Sequence, residues 1–129
     1  MRDIEARNDI ETIVNQFYNK VRADDVIGFI FNDIAKVNWE AHLPVMYDFW
    51  EFTALGTGSF SRNAMTPHFE LNEKIKLTPT HFERWLKLFN ETIDELFTGK
   101  NADNMKGRAQ NIARLMEHKL NDGNQLRII

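Results

Sequence analysis

The feature that most constrains this chain is the spacing of its apolar residues, which recur every three or four positions along most of its length. That period follows the turn of an α-helix and collects each apolar set on one face. The first stretch, from about Asn8 to Arg22, aligns Ile10, Ile13, Val14, Phe17 and Val21, and Asn8 with Glu11 has the spacing of a capping box. A short segment from about Asp24 to Ile34 follows, broken by Gly28 and carrying Phe29, Ile30 and Phe31. The next pattern, Trp39 to Leu55, puts Trp39, His42, Leu43, Met46, Phe49, Trp50 and Thr53 on one stripe, and Gly56 and Gly58 end it. Pro44 lacks an N–H and crowds the carbonyl four residues back, so this helix is expected to start or kink near Glu40–Pro44. Thr78-Pro79 opens another helix as a cap and a proline whose missing N–H costs nothing there. Its stripe is Phe82, Trp85, Leu86, Phe89, Ile93, Leu96 and Phe97, with Gly99 as its end. The last helix is expected from about Asp103 to Leu120 on Met105, Ala109, Ile112, Met116 and Leu120, closed by Gly123. Between Thr57 and Lys76 the period lapses, leaving a turn or short helix around Met65–Phe69. Strand-like alternation is missing, and the expected class is all-α.

Without repeats or a linker, the 129 residues read as a single domain spanning 1–129, long enough to bury a core without covalent staples. The absence of cysteine removes disulfides, thiolate zinc sites, thiol redox chemistry and covalent haem attachment through Cys-x-x-Cys-His. A net charge of -3 with no Lys/Arg cluster argues against nucleic acid or an anionic membrane as partner. No stretch approaches the roughly 18 unbroken apolar residues of a membrane span. The charged start, Met1 to Arg7, has no apolar run behind it, so the expected address is the cytoplasm. An aromatic content of 12% has two readings: an ordinary aromatic core, or a pocket around a large flat ligand.

The residues that could carry chemistry are few. His42, His68, His81 and His118 form neither a His-x-x-x-His nor a His-Glu-x-x-His pair. No carboxylate pair, phosphate loop or nucleophile elbow stands out, so hydrolytic and phosphoryl-transfer chemistry have no support. His118, in the last turn of a helix, reads as a surface imidazole facing the carbonyl end, and His81 as a surface residue in a first turn. His42 lies on an apolar stripe, where a neutral imidazole needs a partner, whether structural or functional. His68 follows Pro67 in the irregular segment, and by pattern alone it is a loop residue. Tyr18 beside Phe17 is either a half-exposed tyrosine with its tip in water or a buried hydroxyl that must be satisfied.

Taken in order, the runs Phe17-Tyr18-Asn19-Lys20-Val21-Arg22, Asp24-Asp25, Ile27-Gly28 and Ile30-Phe31 resemble the start of the truncated haemoglobins. Trp39-Glu40-Ala41-His42-Leu43-Pro44 and Met46-Tyr47-Asp48-Phe49-Trp50 resemble their third group. So do Leu55-Gly56-Thr57-Gly58, Pro67-His68, and Leu77-Thr78-Pro79 leading to His81-Phe82 and Trp85-Leu86. The resemblance spans about Ile10 to Leu120. Two departures lie in connecting segments: Phe29 where the family often has proline, and Arg62 and Ala64 in place of a glycine and a proline.

The resemblance implies a shortened globin, a two-over-two helical sandwich enclosing a non-covalent haem b. It implies His68 as the proximal iron ligand, Tyr18, His42 and Trp85 around the distal face, and Phe31 against the haem plane, with Phe17, Met46 and Phe49 lining the pocket. A single imidazole leaves one iron position open for O2, nitric oxide, CO or peroxide. Tyr, His and Trp can each donate a hydrogen bond to such a ligand. Two bonds of about 1.5–3 kcal/mol each would slow ligand release a hundredfold or more, which suits redox chemistry on O2, nitric oxide or peroxide better than bulk transport. Turnover would need an external electron donor, because the chain carries no flavin or nicotinamide motif. The alternatives are a gas sensor or oxygen store without turnover, and a helical interaction domain without cofactor. Arg62, Lys74 and Lys76 are basic residues near the proximal segment, and each reads as a solvated surface side chain.

Overall fold

In the computed structural model, residues 1–34, 38–58 and 77–121 are described, and all regular structure among them is helical. Helix α1 is Arg7–Ala23, and its expected stripe of Ile10, Ile13, Val14, Phe17 and Val21 is buried. Its start differs from the sequence expectation. The cap position falls on Ala6, which has no polar side chain to offer, and Asn8 lies within the helix. The Asp9 carboxylate turns back instead, accepting from the Glu5 and Ala6 amides at 2.9 and 3.3 Å, while Arg2 grips it at 2.5 and 2.8 Å. Glu11 is engaged by Arg7 at 3.0 Å and takes no part in a cap.

After α1 the chain turns on Asp24. Its carboxylate accepts from the Val26 and Ile27 amides at 2.9 and 3.0 Å and from the Arg84 guanidinium at 2.8 Å. Gly28 is required by close approach, since a Cβ there would stand 3.0 Å from the carbonyl oxygens of Val21 and Arg22. A π-helical turn, Ile30–Ile34, follows. Helix α2, Trp39–Trp50, starts where the Asn38 side chain accepts from the Ala41 amide at 3.4 Å. The helix thus begins just ahead of Glu40 and carries Pro44 inside it. It passes directly into a wider π-helical turn, Glu51–Leu55, which Gly56 ends in the left-handed conformation at φ 72°.

Helix α3 is Pro79–Leu96, capped as expected by Thr78, whose hydroxyl accepts from the His81 amide at 3.4 Å. Helix α4, Lys100–Asn121, starts about a turn before the expected Asp103. The cause lies at the far end of the chain: the Asp3 carboxylate accepts from the Asn101 and Ala102 amides, both at 2.9 Å, supplying the cap from outside the helix. The expected turn at Met65–Phe69 and the closing Gly123 lie outside the described residues.

Helix α1 packs on α2 and on α3, α3 packs on α4, and α4 meets the π turn that continues α2. The four helices therefore stack as two pairs, α1 with α2 and α3 with α4. The shared core holds Phe89, Ile93, Met105, Ala109 and Met116 beside the α1 stripe. On α3, Leu88 and Thr92 are buried outside the expected stripe; Thr92 satisfies its hydroxyl by donating to the Leu88 carbonyl at 2.7 Å.

Acid should loosen these polar ties. Arg2, against burial, draws the Asp9 carboxyl down to about 2. Burial alone would raise the Asp24 carboxyl, but Arg84 and the Ile27 and Val26 amides outweigh it and hold it below its ordinary range. A carboxylate depressed in the folded state stabilises fully above its unfolded value near 4 and loses that contribution as pH falls through the folded value. Asp24→Ala is expected to cost about 2–3 kcal/mol at pH 7 by denaturant unfolding, and the gap from the wild type should shrink as pH falls below the unfolded carboxylate value near 4. A gap constant from pH 7 to pH 2 would show that the Asp24 charge is not what secures the turn.

Candidate functional site

Neighbouring positions on α1 send two rings in different directions, because consecutive helical residues lie about 100° apart around the axis. Phe17 meets Trp85 and Phe89 of α3 edge-on, with centroids 5.6 and 5.1 Å away. Tyr18 meets Trp39 and His42 of α2 at 5.1 and 5.3 Å, and Phe31 of the first π turn at 6.3 Å. Trp39 stacks with Phe31 at 6.3 Å, lies edge-on to His42 at 5.6 Å, and carries the Arg22 guanidinium 5.2 Å from its ring centroid. The result is a continuous seam of rings from Phe31 and Trp39 through His42, Tyr18 and Phe17 to Trp85 and Phe89.

Beside the seam is a narrow cleft with about 30 Å³ of room, partly open to solvent. Ile27, Ile30 and Phe31 line it from the segment after α1, Leu77, His81, Phe82 and Trp85 from the start of α3, and Met116 from α4. Apolar carbon dominates this wall. Phe31 and Trp85 belong to both the cleft and the ring seam.

The polar atoms of the site are few and poorly served. Among the described residues, three buried side-chain polar atoms lack a hydrogen-bond partner: His42 Nε2, Trp85 Nε1 and Asn90 Oδ1. Two of the three belong to the seam. Native proteins pair nearly all such atoms, and an unpaired one costs about 1–3 kcal/mol. Burial lowers the His42 pKa, which keeps the imidazole neutral near pH 7. Burial likewise raises the Tyr18 phenol, so it stays protonated and able to donate. Of the Trp85, Tyr18 and His42 side chains, Trp85 lines the cleft, while Tyr18 and His42 belong to the ring seam.

Protein-family models give no match to the chain. The group 3 truncated hemoglobin ctb of Campylobacter jejuni subsp. jejuni serotype O:2 is 30% identical over 114 residues, which cover 86% of this chain and 87% of that protein. The chain belongs to the group 3 truncated haemoglobins. The crystal structure of group III truncated hemoglobin from Campylobacter jejuni matches its fold with a TM-score of 0.78 at 28% identity, over 93% of this chain and 95% of that one. The all-α truncated-globin fold expected from the sequence is therefore the one observed.

The truncated haemoglobin brings Tyr18, His42, Trp85, Phe17 and Phe31 into one neighbourhood. Met46 is buried in the core, and Phe49 packs its ring on Trp50 at 5.0 Å, away from the cleft wall. His68, with Arg62, Lys74 and Lys76, lies outside the described residues. His81 differs from its sequence expectation. It is half-buried on the cleft wall rather than on the surface, because its Nδ1 accepts from the Thr78 amide at 3.1 Å and folds the ring back over the helix start. The Thr78-x-x-His81 spacing carries this signal, with histidine where a capping box usually has glutamate. Trp39 stands in the α2 stripe and in the run that carries the family resemblance but is given no site role by either, yet it touches Tyr18, Phe31 and His42.

No helix among the described residues is long and apolar enough to cross a membrane. If the unpartnered His42 Nε2 is a cost borne by the fold, replacing it with an apolar side chain relieves that cost. In cofactor-free protein, His42→Leu should unfold at the same or a higher denaturant concentration than wild type, with a gain of up to about 1 kcal/mol. A loss of about 2 kcal/mol or more would mean that the imidazole is an ordinary structural member of the core.

Proposed function

We propose that this truncated haemoglobin is a single domain, cytoplasmic, that holds one non-covalent haem b in the cleft lined by Phe31, Phe82 and Trp85. On this reading His68 is the proximal iron ligand, and Tyr18, His42 and Trp85 stabilise a small ligand on the other face. The observation that carries it is a pair of buried nitrogens without partners, Trp85 Nε1 on a residue of the apolar, aromatic-walled cleft and His42 Nε2 in the ring seam that shares Phe31 and Trp85 with it. A flat, largely apolar group suits that wall, and the two nitrogens suit a polar guest next to it. Family membership supports the same reading, since the relatives are haemoglobins by name.

Bound haem supplies an iron with a position open to O2, nitric oxide, CO or peroxide, and with it the redox chemistry of those molecules. The chain's own residues then determine how such a ligand is held. The Trp85 indole can only donate, the Tyr18 phenol donates while protonated, and a neutral His42 donates from Nε2 if its proton resides there. Tyr18 is fixed between Phe17 at 4.8 Å and Trp39 at 5.1 Å, so its hydroxyl loses little freedom on meeting a ligand. The surrounding rings are apolar, and in that low-dielectric setting each buried donor counts for more than it would in solution. Firm retention favours slow redox turnover on O2, nitric oxide or peroxide, with an external electron donor, over bulk oxygen transport.

The assignment is tested by spectra and by ligand release. His68→Ala should lose haem or retain it only with added imidazole. Unchanged haem occupancy with an unchanged ferrous–CO spectrum would remove His68 from the proximal position. Tyr18→Phe should speed O2 dissociation at least about tenfold in stopped-flow measurements, from the loss of one donor to a partly charged acceptor. His42→Leu should act chiefly on the association rate, with His42 as a gate beside Trp39. A larger rise in dissociation for His42→Leu than for Tyr18→Phe would make His42 the main donor.

A further inference from the structure

Resting on the haem reading above, we propose that His81 is a haem-positioning residue that donates from Nε2 to a haem propionate at the mouth of the cleft. Among the described residues of the cleft wall, only Trp85 and His81 carry a side-chain nitrogen or oxygen. Both residues are half-buried, but the Trp85 nitrogen itself is buried without a partner, and His81 Nε2 is not among such buried atoms. Haem has two carboxylates on one edge, and burying an unpaired carboxylate is costly, so that edge faces the mouth.

The ring of His81 is prepared for this contact. Its Nδ1 accepts from the Thr78 amide at 3.1 Å, and its own amide donates to the Thr78 hydroxyl at 3.4 Å. With Nδ1 committed as an acceptor, the neutral imidazole carries its proton on Nε2, the nitrogen at the other side of the ring. Burial lowers the His81 pKa and favours this neutral form. Capping alone would be served by glutamate or glutamine at this position. Glutamate would bring a negative charge towards the haem carboxylates. An imidazole caps the helix and still presents an N–H outward, and that combination selects the propionate edge as its partner.

The test compares haem with its dimethyl ester, in which both carboxylates are blocked, bound to the full-length chain. Haem loss to an excess of scavenger apoglobin is followed for wild type and His81→Phe with each cofactor. His81→Phe should release haem about tenfold faster than wild type while releasing the ester at nearly the wild-type rate, as expected for one lost hydrogen bond to a charged group. Retention of the ester shows that the variant's cleft is intact. If His81→Phe takes up neither cofactor, His81→Leu provides the same comparison. Equal acceleration for haem and ester, or none for either, would overturn the propionate contact while leaving haem binding in place. A wild-type chain that binds neither cofactor would overturn the haem reading, and this proposal with it.

Discussion

The whole arrangement depends on Phe17 and Tyr18 pointing to different partners from consecutive positions on α1. Phe17 fixes α3 through Trp85 and Phe89, and Tyr18 fixes α2 through Trp39 and His42. The angular step of the helix thereby sets where the two neighbouring helices stand around α1. It also decides that the seam between them is aromatic rather than aliphatic. The rings meet edge-on, tilted or stacked at centroid distances of 4.8–6.3 Å, the offset geometries that aromatic pairs prefer. Trp85 and His42 are consequently held with their nitrogens buried, although neither nitrogen has a protein partner among the described residues.

Charge is used differently. Asp3 caps α4, Asp9 joins Arg2 at the start of α1, and Asp24 ties the following turn to Arg84 on α3. Arg7 reaches Asp48 and Glu51, both at 2.8 Å, and so links the start of α1 to the end of α2. These contacts lie at helix ends and turns, where unpaired backbone amides and half-exposed carboxylates can be satisfied. Among the described residues the cleft wall has no acidic or basic side chain other than His81. Ionic pairs secure the periphery, and the interior is left apolar with a few neutral donors, an environment in which a hydrogen bond to a small ligand is strong.

Much of this is legible in the order of the residues. The stripes of α1 and α3 identify Ile13, Phe17, Phe89 and Ile93 as core because a three-and-four spacing has a single geometric meaning. Tyr18, His42, Trp85 and Phe31 stand out through a family resemblance, and their mutual contacts are a property of the fold that spacing alone does not encode. The features that local pattern misses have physical reasons. Asn8 and Glu11 have the spacing of a cap, but the Asp9–Arg2 pair moves the helix start ahead of them. The early start of α4 depends on Asp3, almost the full chain length away, and no local pattern reports such a contact. The chemistry of proline predicts a helix start or kink near Glu40–Pro44, and α2 does start one residue ahead of Glu40, capped by Asn38, with Pro44 carried inside it. A first-turn position is usually exposed, which makes His81 read as a surface residue, whereas its bond to the Thr78 amide turns it onto the cleft wall.

The central claim is that the cleft and its ring seam form a cofactor site continuous with the core. Thermal unfolding of the cofactor-free chain, alone and with one equivalent of haem, tests it most directly. A ligand that binds only the folded state raises its stability according to the ratio of free ligand to dissociation constant. The account predicts a clear upward shift of the midpoint with haem, accompanied by a Soret band and a defined ferrous–CO spectrum. Coincident midpoints with and without haem would contradict it, because a group that fills this cleft cannot leave the stability of the surrounding core unchanged.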